Sequence, residues 1–204
     1  MKYFLSFIIT FTPIFINSQN DHDAKKLVEE VSSKISNAKT AVINFTFEQQ
    51  EILYENGIIE IKDGKYRLTF MDIEQISDSK NIYTIIDENK EILISKISEE
   101  DNFLKPSNLL NFFEDGYYYQ NTFSNDNKKN TQISLTPIDK NSDKLKILMT
   151  INTEKKEILE VIEYDKSNNK TVIKINSILF NSMIENEKFV FYKSKYPGYH
   201  IEQF

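Results

Sequence analysis

The sequence predicts a mainly β chain, α+β in detail: an N-terminal helix, about eleven short strands in an antiparallel meander, and a second short helix midway. Three observations carry this. From Ile43 onward apolar residues recur with period two, the spacing of a strand with two unlike faces. The joints between these runs are as short as Asp63-Gly64, Asp78-Ser79-Lys80 and Glu88-Asn89-Lys90, which favours antiparallel neighbours and leaves no room for crossover helices. Helical spacing is confined to two places.

Taken in order, Met1-Lys2 gives a positive start, Tyr3 to Ile16 is almost wholly apolar, and Asn17-Ser18-Gln19 is a polar exit. That pattern predicts an export signal over residues 1–19, cleaved near Gln19, because the apolar run is shorter than the roughly 20 residues a spanning helix needs. Its removal takes away Lys2 and no acid. Asp21 to Asn37 reads as an amphipathic helix: Leu27, Val28, Val31 and Ile35 share one face, and Asp21 or Asp23 can cap the start. Ile43, Phe45 and Phe47 then lie on one side of a strand reaching about Leu53, and Tyr54-Glu55-Asn56-Gly57 is read as its hairpin turn.

Further strands are expected at Ile58–Lys62, Lys65–Met71, Glu74–Ser77, Ile82–Asp87 and Glu91–Ile97. A second series covers Tyr117–Phe123, Thr131–Pro137, Leu145–Asn152, Glu157–Tyr164, Thr171–Phe180 and Lys188–Tyr192. Between the series, Pro106 and Ser107 suit a helix start, and Leu109, Leu110, Phe112 and Phe113 make that short helix unusually apolar. It is either a plug over an open sheet face or an ordinary packed helix. The whole sheet should curl into a sandwich, barrel or half-barrel.

Composition removes several function classes. The formal net charge is −6 and Arg67 is the one arginine, so the cationic footprint of a nucleic-acid binder is missing. There are no cysteines, hence no disulfide, thiolate zinc site, Cys nucleophile or lipid-modified Cys. His22 and His200 stand near opposite ends of the chain with no metal motif around either. The 31 acids fall mainly in turns, and no HExxH, Ser-His-Asp order or phosphate loop accompanies them, so no cofactor and no enzyme are expected.

Phe45, Phe47, Leu68, Phe70, Tyr83 and Ile85 line either an open apolar cavity or a filled core, since both give the same alternation. At least one ring of Tyr117-Tyr118-Tyr119 is expected in the rim of the sheet. Arg67 is either a strand arginine paired with a neighbouring acid or a contact for a lipid head group.

The order of several short motifs resembles a known family. These are Ile43-Asn44-Phe45-Thr46-Phe47, Gly64-Lys65-Tyr66-Arg67-Leu68, Ser77-Asp78-Ser79-Lys80-Asn81-Ile82-Tyr83, and the closing Lys195-Tyr196-Pro197-Gly198-Tyr199. From residue 20 to residue 204 the chain resembles the outer-membrane lipoprotein carrier (LolA) family, in its Bacteroidetes form. The resemblance implies a curved antiparallel half-barrel closed by the N-terminal helix and a lid helix carrying Leu109, Leu110, Phe112 and Phe113. It implies a monomeric periplasmic chaperone that holds lipoprotein acyl chains over Phe45, Phe47, Leu68, Phe70, Tyr83 and Ile85. Its partners would be an inner-membrane lipoprotein-releasing transporter and an outer-membrane acceptor. The family's lid-latching arginine falls near Asp63 here, so that latch does not carry over. A lipid-sensing or protein-interaction module of the cell envelope with the same fold is the alternative.

Overall fold

The computed structural model describes residues 21–97, 116–124 and 129–204. The export signal and the expected lid residues Leu109, Leu110, Phe112 and Phe113 lie outside these. The first element is α1 (His22–Ser36), capped as the sequence suggests: the Asp21 carboxylate accepts from the amides of Asp23 and Ala24 at 3.1 and 3.0 Å. Two runs of strands follow. The first comprises β1 (Thr40–Gln49), β2 (Leu53–Lys62), β3 (Lys65–Phe70), β4 (Ile73–Ser77), β5 (Asn81–Ile86) and β6 (Glu91–Lys96). The second comprises β7 (Tyr117–Ser124), β8 (Asn130–Pro137), β9 (Lys144–Asn152), β10 (Glu157–Asp165) and β11 (Lys170–Phe180), and β12 (His200–Gln203) closes the chain.

All twelve form one curved sheet in the order β12-β6-β5-β4-β3-β2-β1-β11-β10-β9-β8-β7. Each run is a meander, and the antiparallel pairing of β1 with β11 joins them. Among the described residues β7 and β12 stand at opposite edges, so the sheet is open. The fold is therefore mainly β, as expected.

Two local expectations are corrected. Asn56-Gly57 is not a turn but lies inside β2, and the reversal occurs at Gln50 and Glu51, with φ of 52° and 60°. The reason is Phe45. Gly57 sits directly opposite it in the ladder, and a Cβ on Gly57 would stand 2.1 Å from Phe45 Cζ. The glycine makes room for a ring, not for a turn. Lys188–Tyr192 is likewise not a strand: Asn186–Phe189 is a single 3-10 turn packed on β3 and β4, with Phe189 fully buried. The last strand is β12, which pairs with β6 in parallel, against the all-antiparallel expectation. The chain between β11 and β12 reaches β6 by crossing the sheet, and the direction of that crossing fixes the parallel pairing.

The main core lies on the face that carries α1. Ala24, Val28, Val31 and Ile35 of the helix pack with Ile133, Leu135, Ile147, Met149 and Ile151, all at most 4% exposed. Burying a Val or Ile side chain is worth about 1.5–3 kcal/mol, so docking rather than helix propensity holds this 15-residue element in place. Lys34 adds a link at its end, donating to Glu157 Oε1 at 2.8 Å and to the Lys155 carbonyl at 2.7 Å.

Candidate functional site: the apolar face of the open sheet

The face that carries α1 continues beyond the helix over β1, β2 and β3. Phe45 is buried, while Phe47, Leu68 and Phe70 are half-buried and pack against the edge of the main core. Phe70 joins the rings: its centroid lies 5.7 Å from that of Phe45 and 5.2 Å from that of Phe47, the latter edge-on. Four of the six residues expected to line a cavity are thus brought together as a half-open aromatic and aliphatic surface.

Tyr83 and Ile85 are not with them. Leu68 pairs with Gln75 and Gln75 with Thr84, so these three share a face, and Tyr83 and Ile85 point the other way. A period-two pattern reports that a strand has two faces, but only the register says which faces join across a sheet. Both faces of β5 are apolar, with Ile82 on one and Tyr83 and Ile85 on the other, so the sequence alone could not choose. Beside Leu68 the face turns polar instead. The Tyr66 hydroxyl donates to Gln75 Oε1 at 2.8 Å, and Gln75 Nε2 donates to Thr84 Oγ1 at 3.1 Å. Tyr66 and Gln75 are each 3% exposed, and burial pushes the Tyr66 pKa well above its ordinary value. This chain of bonds satisfies polar groups that would otherwise be costly to bury.

The opposite face of β3–β6 is closed by the C-terminal segment. Tyr83 stacks on Phe191 at 4.5 Å, Phe191 on Tyr196 at 5.6 Å, and Tyr199 meets Tyr196 edge-on at 5.4 Å. With Ile76, Ile85 and Ile92 these rings form a second small core. The closing Tyr-Pro-Gly-Tyr motif is thus a strap over the back of the sheet. Its tyrosines are tied down, Tyr199 donating to Asp87 at 2.8 Å. Tyr83 donates to Asp78 at 3.1 Å, and its pKa is raised by burial and by the Asp78 charge.

Arg67 is on this same back face. Its Nε lies 2.9 Å from Glu74 Oε1 but off the N–H axis, so the contact is an ion pair without a hydrogen bond. Of its two sequence readings, the paired strand arginine describes this geometry. The recess beside α1 lined by Asp23, Lys26, Leu27, Glu30, Thr153 and Lys156, about 220 Å³, is shallow and charged and unsuited to an acyl chain. Among the described residues no group of three or more His, Cys, Asp or Glu is placed to hold a metal. Among them, too, no helix is long and apolar enough to cross a membrane.

The sequence reading missed Gly57 and the Tyr66–Gln75–Thr84 chain. The first could have been found by testing Asn-Gly against a longer β2. The second needed the register.

No family model matches the chain, and no curated protein matches it in sequence. Solved structures do match in shape. An uncharacterized conserved protein from Thermus thermophilus is 6% identical, with 87% of this chain and 98% of that chain covered and a TM-score of 0.58. The lipoprotein LppX from Mycobacterium tuberculosis is 11% identical, with 81% and 98% covered and a TM-score of 0.50. An outer-membrane lipoprotein-sorting protein domain from Vibrio parahaemolyticus is 11% identical, with 82% and 96% covered and a TM-score of 0.47. At these identities the likeness concerns the fold, and the first two establish it.

Proposed function

We propose that this chain is an exported carrier of lipid acyl chains, in the manner of the LolA family that its motifs resemble. The observation that carries the reading is the apolar surface of Phe45, Phe47, Leu68 and Phe70, half-open at Phe47, Leu68 and Phe70, beside the core that α1 covers on the same face. A filled core would bury Phe47 and Phe70 as completely as it buries Ile133 and Leu135. The physics of the task suits such a surface. An acyl chain in water costs about 0.8 kcal/mol per CH₂, roughly 12 kcal/mol for sixteen carbons, so passage between membranes needs a cover. Half-exposed rings offer that cover without the enclosure that would prevent release.

In this reading residues 1–19 are removed on export, residues 20–204 work in the periplasm, and the ligands are lipoprotein acyl chains. The donor is an inner-membrane releasing transporter and the destination is the outer membrane. The lid in this reading is the one the family resemblance implies, Leu109, Leu110, Phe112 and Phe113.

The test is native mass spectrometry of the purified protein with a triacylated lipopeptide. A one-to-one adduct is expected, weakened by Phe47→Asp with Phe70→Asp and, separately, by Phe112→Asp with Phe113→Asp. A folded protein that forms no adduct and also fails to bind a fluorescent fatty-acid probe would overturn the carrier reading in favour of a protein-interaction module.

A further inference from the structure

The two ends of the sheet differ. One end holds the turns between β1 and β2, between β3 and β4, and between β8 and β9, as the antiparallel registers require. At this end Ile52 is 81% exposed, Tyr54 58%, Met71 48%, Ile73 37%, Ile138 49% and Leu145 48%. Singly, an exposed apolar residue means little. Here six occupy turns and strand starts at one end, spread from β2 to β9.

Met71 is costly in two respects. It is the first residue of the β3–β4 turn, its φ is 52°, a left-handed conformation that glycine or asparagine ordinarily takes, and its side chain faces water. Nothing in the packing of the turn asks for methionine. In the β1–β2 turn the left-handed positions are the polar Gln50 and Glu51, and Ile52 beside them is exposed without that strain. At Met71 strain and exposed apolar surface are retained together, which points to a use outside the fold.

The position of the rim indicates what it meets. Phe70 directly precedes Met71, and Phe70 packs on Phe47, so the half-open apolar face reaches to within one residue of the rim. The six residues stand on separate turns of a curved sheet, not in one contiguous patch. A protein partner needs a continuous complementary surface. A bilayer is flat, deformable and apolar within, and accepts separated tips. The turns that carry these residues hold Glu51, Asp72, Asp139 and Asp143 against Lys140, with Lys166 on the neighbouring β10–β11 turn, so attraction to anionic lipid is not the driving force.

We propose that this end of the sheet is a docking rim for a lipid bilayer surface, entered by Ile52, Tyr54, Met71, Ile73, Ile138 and Leu145. It extends the carrier reading by naming the surface at which the apolar face meets membrane lipid. The test is co-sedimentation of the purified protein with phosphatidylcholine vesicles. Binding is expected, little changed between low and high salt, and at least tenfold weaker in the Ile52→Asp, Met71→Asp double variant. Met183→Asp, at the opposite end of the sheet and 102% exposed, should bind vesicles like the wild type. Both variants change exposed side chains and should keep the wild-type circular dichroism and lipopeptide adduct, which separates loss of docking from loss of the acyl site. Wild-type protein that stays in the supernatant at every lipid concentration, or a rim variant that sediments as well as the wild type, would overturn the proposal.

Discussion

Replacing Gly57 by alanine isolates one contact on which the apolar face depends. Gly57 lies in β2 opposite Phe45, and its φ is outside the left-handed region, so alanine meets no backbone penalty. The added Cβ would stand 2.1, 2.5 and 2.7 Å from Phe45 Cζ, Cε1 and Cε2. Carbon pairs settle near 3.5–4.0 Å, so the ring must retreat by about 1.4 Å. It has little room, being 7% exposed and tilted against Phe70 at 5.7 Å. Overpacking of this kind costs about 1–3 kcal/mol, and the usual advantage of alanine over glycine in a strand returns only about 0.5–1. The net destabilisation is about 1–2 kcal/mol. With an m-value of roughly 2 kcal/mol/M in urea, the unfolding midpoint should fall by about 0.5–1 M. The control is Phe45→Leu: in that background Gly57→Ala should be neutral or stabilising, because the clash is gone. A Gly57→Ala variant as stable as the wild type, or an equal effect in both backgrounds, would refute the steric explanation.

Two further outcomes follow from the same geometry. The Asp21 pKa lies below its ordinary 3.8, held down first by the Ala24 amide, with burial opposing it as the next-largest effect, and then by Asn121 and Asp23. A depressed folded pKa stabilises above the unfolded value and is lost as pH falls through 3.8 toward the folded one. Asp21→Ala should therefore cost about 1 kcal/mol at neutral pH, with the gap to wild type narrowing below about pH 3 in parallel urea titrations. Asp21→Asn keeps the acceptor, so it should retain most of the stability and lose the pH dependence. On the back face, Phe191→Ala removes the stacks with Tyr83 and Tyr196. Since Phe191 is only half-buried, the cost should be about 2 kcal/mol, below the 3–5 of a buried phenylalanine. Amide exchange of β12 should accelerate more than that of β8 and β9; uniform acceleration would mean that the strap is not a separate unit.

By itself the sequence determined the class and the element order. Period-two runs and short joints are local properties, and they located α1 and eleven of the twelve strands to within a few residues, β2 aside from its start. The Asp21 cap was legible for the same reason, since capping involves neighbours in the chain. Four of the six residues expected to line a cavity, Phe45, Phe47, Leu68 and Phe70, lie on one face, because β1, β2 and β3 are consecutive and their pairing follows from the order of the strands. Only the tertiary structure decided the rest. Whether Asn56-Gly57 turns or continues depends on a ring twelve positions away from Gly57, across the ladder. The face taken by Tyr83 and Ile85 depends on register accumulated over several turns. The strap and its parallel β12 depend on a crossing that no local pattern encodes. Alternation specifies that a strand has an apolar side; which sides join into one surface is set by pairing between residues distant in the chain, and that pairing exists only in the folded sheet.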